Sequence, residues 1–363
     1  MAEQYRSMIS DEERAARHME RAAARKKKLR AQRIKRIKQL FPVVAFFFLL
    51  VGLFVLWRIQ SKPTESTPDS SPAVSLPTAS MPEIQPEDLP QEPEFYSAKT
   101  TGSTVTLSDS LDSSYAVLID VASGEIIAEK NAFSSISPAS MTKVLTLLVA
   151  AEHAENLDDS VTMTIDITDY CFTNDCSVVG LEVGESATIG ELLYGCILPS
   201  GADACLALAN YVAGSHEAFV ELMNQKLYEL GLSETAHFTN CVGLYDKEHF
   251  CSAYDMAMIL KAAMDNELCR AVLKSRTFET APTAEHPDGQ VLSNWFLRRI
   301  EDRFTEGFQI VAGKTGYVTQ SGSCAVSGGQ DTDGKLYICV TGDASSSWRV
   351  IYDHTELYQT YCS

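Results

Sequence analysis

Pro138-Ala139-Ser140-Met141-Thr142-Lys143 opens the apolar run from Val144 to Ala151. With Val144, Leu145, Leu147, Leu148 and Val149 and no Gly or Pro, the run predicts a largely buried helix entered at Pro138. Residues three apart share a helix face, so Ser140 Oγ and the Lys143 ammonium can meet near one N-terminus. A serine hydroxyl needs a base to become a useful nucleophile. A lysine can be that base if burial or a second cation lowers its pKa. The helix N-terminus also favours developing negative charge. Ser-x-x-Lys alone is common as solvated helix surface. This one is set apart by its apolar helix and by two partner motifs downstream, and no other lysine has serine three residues before it.

The partners are Ser200-Gly201-Ala202 and Lys314-Thr315-Gly316. Lys-Thr-Gly on a strand brings a cation and a hydroxyl together, and its glycine lets a substrate backbone lie close. Three such motifs in this order are far more specific than any one of them.

The rest of the chain frames that core. At 363 residues it has room for two ordinary domains or one large domain with appendages. Residues 1 to 40 carry thirteen Lys and Arg against five Asp and Glu, whereas the whole chain is −18, so the remainder is strongly acidic. Such asymmetry argues for two compartments and excludes a nucleic-acid binder, because the acidic part offers phosphate no basic face. Leu40 to Trp57 is eighteen residues without a charge. At about 1.5 Å per residue this makes roughly 27 Å of helix, enough to span a bilayer core. The long basic flank and the lack of an Ala-x-Ala site predict an uncleaved signal anchor, with residues 1 to 39 cytoplasmic and the rest extracytoplasmic. Residues 58 to 108, rich in Pro, Ser, Thr and Glu, read as an extended linker.

Residues 109 to 363 read as one domain. Tyr115 to Val121 and Glu125 to Lys130 predict a hairpin, and Gln309 to Thr315, Ser323 to Ser327 and Leu336 to Thr341 predict later strands. Helices are expected over Gly190 to Tyr194, Ala202 to Val212, Phe219 to Leu230, Tyr254 to Met264 and Trp348 to Tyr361. Strands at both ends with helices between indicate an α/β domain whose sheet joins the two ends of the chain. All ten cysteines lie between Cys171 and Cys362. Cys171 with Cys176, or Cys241 with Cys251, are near neighbours for bridges, although a domain of this size can bury a sufficient core without staples. No Cys-x-x-Cys pair or His-Glu-x-x-His run appears, so no metal or cofactor is expected.

On Ser140-x-x-Lys143, Ser200-Gly201-Ala202 and Gly313-Lys314-Thr315-Gly316-Tyr317, the chain resembles the serine D-alanyl-D-alanine carboxypeptidases, the low-molecular-mass penicillin-binding proteins. The likeness runs from about Ser114 to Tyr358 and includes Gly184-Glu185, Leu192-Leu193-Tyr194-Gly195, Leu198-Pro199, His237-Phe238-x-Asn240 and Gly243-Leu244. The resemblance implies a serine β-lactamase/penicillin-binding-protein transpeptidase-like fold, an antiparallel sheet flanked by helices plus an all-helical subdomain, here preceded by one transmembrane helix. It implies removal of the terminal D-Ala from peptidoglycan stem pentapeptides, with β-lactam antibiotics as covalent inhibitors.

By the same resemblance Ser140 is the acylated nucleophile, Lys143 its base and Ser200 a relay toward the leaving amine. Lys314 and Thr315 would hold the substrate's terminal carboxylate beside Gly316, and the Ser140 and Tyr317 backbone N–H groups would form the oxyanion hole. Two nearby lysines depress one another's pKa, as a lysine base requires. The chain departs from the family in carrying Ala202 where asparagine is usual, which removes a contact to the substrate peptide unless Asp203 or a water replaces it. His237 is read as structural. A β-lactamase is disfavoured because no glutamate between Ser200 and Lys314 has asparagine four residues later. A silent wall-sensing protein is the other alternative. The chain ends soon after its closing helix, so the N-terminal segment is the expected membrane attachment.

Overall fold

The computed structural model describes residues 96–304 and 307–362. The segment 40–57 read as a membrane span lies outside the described residues, as do the basic tail and most of the linker. No helix among the described residues is long and apolar enough to cross a membrane.

Six strands form the central sheet: β1 (Lys99–Thr106), β2 (Tyr115–Asp120), β3 (Glu125–Lys130), β4 (Phe308–Val318), β5 (Gly322–Asp331) and β6 (Leu336–Ala344). Their order is β1-β3-β2-β6-β5-β4. Every pairing is antiparallel except β1 with β3 at the edge. The β2–β6 ladder, Val117 opposite Val340, is the seam where the N-terminal and C-terminal parts of the domain join into one sheet. β1 falls inside the stretch read as linker. Its sequence, Lys-Thr-Thr-Gly-Ser-Thr-Val-Thr, has almost no apolar face and stays exposed, so nothing in its pattern marks it as a strand.

Among the described residues nine helices accompany the sheet: α1 (Lys143–His153), α2 (Ile165–Thr173), α3 (Ile189–Ile197), α4 (Ala202–Ala213), α5 (His216–Glu229), α6 (Ala253–Asp265), α7 (Glu267–Lys274), α8 (Trp295–Ile300) and α9 (Ser347–Tyr361). Strand alternation sorts the side chains between two cores. Val117, Ile119, Val326 and Ile338 face one core, where α6 crosses β6, β2 and β5. Ala116, Leu118, Ala325 and Cys339 face the other, under α8 and α9. Helices α3, α4 and α5 pack against α1, and α2 packs against α4, as a helical subdomain beside the sheet. Helix α1 is buried from Lys143 to Ala150, so Ser140 and Lys143 sit at the junction of subdomain and sheet. The ten cysteines are free thiols.

Candidate active site

Residues Ala139–Thr142 form a 3-10 turn leading directly into α1. The turn packs against β4. Ala139 takes a φ of 46° and Ser200 one of 63°, both in the left-handed region. For residues with a Cβ this costs of order 1–3 kcal/mol each, so the packing around both turns must over-determine them. Gly243 does part of this. Its φ is +82°, and a Cβ there would meet Ala139 O at 2.0 Å and Ser140 N at 2.9 Å, so only glycine lets that loop back the nucleophile turn.

Lys143 Nζ donates to Ser140 Oγ at 3.0 Å and to Val242 O at 2.5 Å. Both contacts aim the buried Lys143 Nζ at one hydroxyl. The Val242 carbonyl is held in turn by Asn240, whose Oδ1 accepts from the backbone N–H of Val242, Gly243 and Leu244. His249 braces the same region. Thr239 N donates to its Nδ1 at 3.0 Å, which leaves Nε2 as the protonated nitrogen facing Thr142 Oγ1 at 2.8 Å. Burial pushes the His249 pKa down to about 4, so the ring is neutral.

Across the cleft, Lys314 Nζ on β4 donates to Ser200 Oγ at 2.9 Å and to its neighbour's carbonyl, Thr315 O, at 2.7 Å. Burial, and next the Lys143 charge, lower the Lys314 pKa to about 7. The neighbouring lysine charge thus contributes to the Lys314 shift, second to burial. Gly316 brings β4 close to the nucleophile turn, since a Cβ on it would lie 3.0 Å from both Pro138 O and Ser140 N and 2.7 Å from Cys324 Sγ. A cleft of about 680 Å³ is lined by Ser140, Ser200, Thr315, Gly316 and Tyr317, with Trp295 and Arg299 at its far wall. The structure thus brings together all seven residues singled out from sequence.

Ala202 is buried and donates its N–H to Ser177 O. Asp203 does not take the place of the usual asparagine. It is buried, and its carboxylate accepts from Val179 N at 2.8 Å, Gly180 N at 2.9 Å and Ala204 N at 2.9 Å. It therefore anchors the strap whose Asp175 and Ser177 line the cleft. His237 is exposed and its Nδ1 contacts Glu248 O, a structural role. The sequence reading missed Asn240's work as a loop clamp, His249, Trp295 and Arg299. Only Asn240 stood in a quoted motif. Among the described residues no group of His, Cys, Asp and Glu is placed to hold a metal.

Residues 101–345 match the Peptidase_S11 family, described as D-alanyl-D-alanine carboxypeptidase. The chain is 38% identical over 152 residues to the D-alanyl-D-alanine carboxypeptidase DacF of Bacillus subtilis, covering 42% of this chain and 39% of that protein. It is 40% identical over 159 residues to DacC of Escherichia coli, covering 42% and 40%. These matches span about two fifths of the length of the curated relatives. The crystal structure of the Streptomyces K15 DD-transpeptidase superposes with a TM-score of 0.63 at 26% identity, over 69% of this chain and 96% of that one.

Proposed function

The chain belongs to the D-alanyl-D-alanine carboxypeptidase family, and from that membership and the Ser140–Lys143 contact we propose that it is a serine-type carboxypeptidase releasing the terminal D-Ala of peptidoglycan stem peptides. The observation that carries the proposal is the pairing of two lysine–serine contacts, Lys143 with Ser140 and Lys314 with Ser200, on opposite sides of one cleft.

In this reading Ser140 Oγ attacks the carbonyl of the penultimate D-Ala while Lys143 Nζ takes the hydroxyl proton. The C–O bond forms, and negative charge develops on the carbonyl oxygen near the Ser140 and Tyr317 backbone N–H groups. Collapse breaks the C–N bond, and Ser200 relays to the leaving amine the proton that Lys143 took, which returns Lys143 to its neutral form while Lys314 keeps its charge. Thr315 and the Lys314 charge hold the departing residue's carboxylate. Water then cleaves the acyl ester with Lys143 again as base. A β-lactam acylates Ser140 by the same first step, but its ring-opened leaving group stays attached. Ala202 removes one amide contact to the substrate, a loss of about 1–3 kcal/mol.

The same reading makes Leu40 to Trp57 a single-pass anchor with a cytoplasmic N-terminus, and residues 58 to 108 chiefly a tether that lets the domain reach the wall. What supports it is the eighteen-residue uncharged run behind a basic flank.

The test is release of free D-alanine from a peptide ending in D-Ala-D-Ala. Release that disappears in Ser140→Ala is expected. Acylation by penicillin without any release would favour the silent, wall-sensing alternative.

A further inference from the structure

Beyond the cleft, the structure carries an ordered stack of cations and rings that the reaction above does not use. Trp295 and Arg299 lie one helical turn apart on α8, Arg303 follows one turn later, and Trp348 and Tyr352 occupy the facing turns of α9. The Arg299 guanidinium carbon is 4.9 Å from the Trp295 ring centre and 5.1 Å from that of Trp348. That of Arg303 is 5.8 Å from Trp348 and 4.6 Å from Tyr352. The rings of Trp348 and Tyr352 stack at 6.4 Å. Rings and guanidiniums therefore alternate as a ladder that begins at the cleft wall and leads away from it.

Three features make this a binding surface. The rings are exposed, Trp295 by 58%, Trp348 by 46% and Tyr352 by 44%. Among the described residues neither Arg299 nor Arg303 makes an ion pair with a carboxylate, although the chain carries 48 Asp and Glu. A guanidinium held over a ring is also pre-oriented. Arg303 donates its Nε–H to Arg299 O at 3.3 Å, and the terminal Nη groups of the guanidinium match the two oxygens of a carboxylate. Because the guanidiniums already cover ring surface, the ladder offers a ligand positive N–H edges more than apolar faces.

We propose that this ladder is a second binding site, continuous with the cleft, for free carboxylates of an acidic peptide neighbouring the one held at Ser140 on the same polymeric substrate. The inference rests on the carboxypeptidase reading for its choice of polymer. Charge complementarity selects an acidic occupant on an otherwise acidic protein, and continuity with the cleft selects one tethered to the substrate already bound. Occupancy of both sites raises the effective concentration of polymer-borne peptide at Ser140 without changing the chemistry there.

The experiment uses the full chain and two substrates: a monomeric pentapeptide, and soluble glycan strands bearing several pentapeptides. Arg303→Ala and Trp348→Ala should keep the parent's kcat/KM on the monomer and its rate of labelling by penicillin. On the strands kcat/KM should fall by about five- to tenfold, the scale of one exposed charged contact, chiefly through KM. Arg303→Lys should restore only part of this, since an ammonium neither forks nor stacks as a guanidinium does. Raising salt from roughly 0.05 M to 0.3 M should erase the parent's preference for strands. Equal losses on both substrates, or none on either, would overturn the proposal. Titration of Ser140→Ala with the same strands keeps the two readings apart. Tighter binding with the ladder intact supports the site even if no D-alanine is released, and binding indifferent to Arg303 refutes it even if release is fast.

Discussion

Lys314 Nζ lies 2.9 Å from Ser200 Oγ, joining β4 to the turn before α4 across the cleft from Ser140. This bond ties the sheet to the helical subdomain at the point where a leaving amine would depart, and it involves a cation that burial has made easy to deprotonate. Its titration is accordingly the most direct handle on substrate binding.

With its pKa lowered to about 7, chiefly by burial and next by Lys143, Lys314 is a cation below that pH and neutral above it. In the proposed reaction the substrate carboxylate is held by the cation. For a peptide ending in a free D-Ala carboxylate, kcat/KM should therefore decline as pH rises above about 7, and less so for the same peptide ending in an amide. Identical alkaline limbs for the two would remove Lys314 from carboxylate recognition.

Gly243→Ala should disable the site from behind. The added Cβ meets the Ala139 carbonyl and the Ser140 amide, both backbone, and the +82° φ strains any other residue. A cost of at least about 2 kcal/mol is expected, and penicillin labelling should fall by about tenfold or more. Thermal melting and labelling of the variant measure the two effects; a parent-like labelling rate would show that the turn tolerates displacement.

Two buried histidines set an acid limit on stability. Burial lowers His249 to about 4 and His354 to about 3. Once unfolded, both protonate near pH 6.5, so acidification below 6.5 stabilises only the unfolded chain. Stability should fall as pH drops from 6.5 toward 4 and continue falling more gently to 3, where the folded rings also take up protons. Urea titrations across this range test it, and His249→Gln should reduce the slope between 6.5 and 4. A slope unchanged in that variant would assign the acid sensitivity to other groups.

Asp203→Ala removes the acceptor for three backbone N–H groups at the head of α4 and the cleft strap. A loss of roughly 2–4 kcal/mol is expected because buried donors are left unpaired. Asp203→Asn, which keeps one acceptor oxygen, should lose less. Melting curves of the two variants decide this, and equal stability for both would show that the strap is held elsewhere.

Much of this arrangement was legible in the sequence because it is written in local patterns. The uninterrupted apolar run after Lys143 marks α1, and the alternating strands flanking Lys314 mark β4 to β6. The helices α2, α7 and α8 were not, since all three span nine residues or fewer, too short for a helical period to stand out from the flanking loops. The site's backing was illegible for a different reason. Nothing local distinguishes His249 from His237, only twelve residues apart in sequence; burial beside Thr142, a contact across 107 residues, separates them. Likewise Arg299 gains meaning only when Trp348 is folded against it. The resemblance marks Ala202 as a departure, but only the structure shows Asp203 turned away to the strap.

The central claim is that Ser140 becomes covalently bonded to substrate. Mass spectrometry of the chain after reaction with penicillin measures this directly, by the mass gained and the peptide that carries it. One penicilloyl group per chain is expected, on the peptide containing Ser140, and none in Ser140→Ala. An adduct on any other residue, or equal labelling of Ser140→Ala, would contradict it.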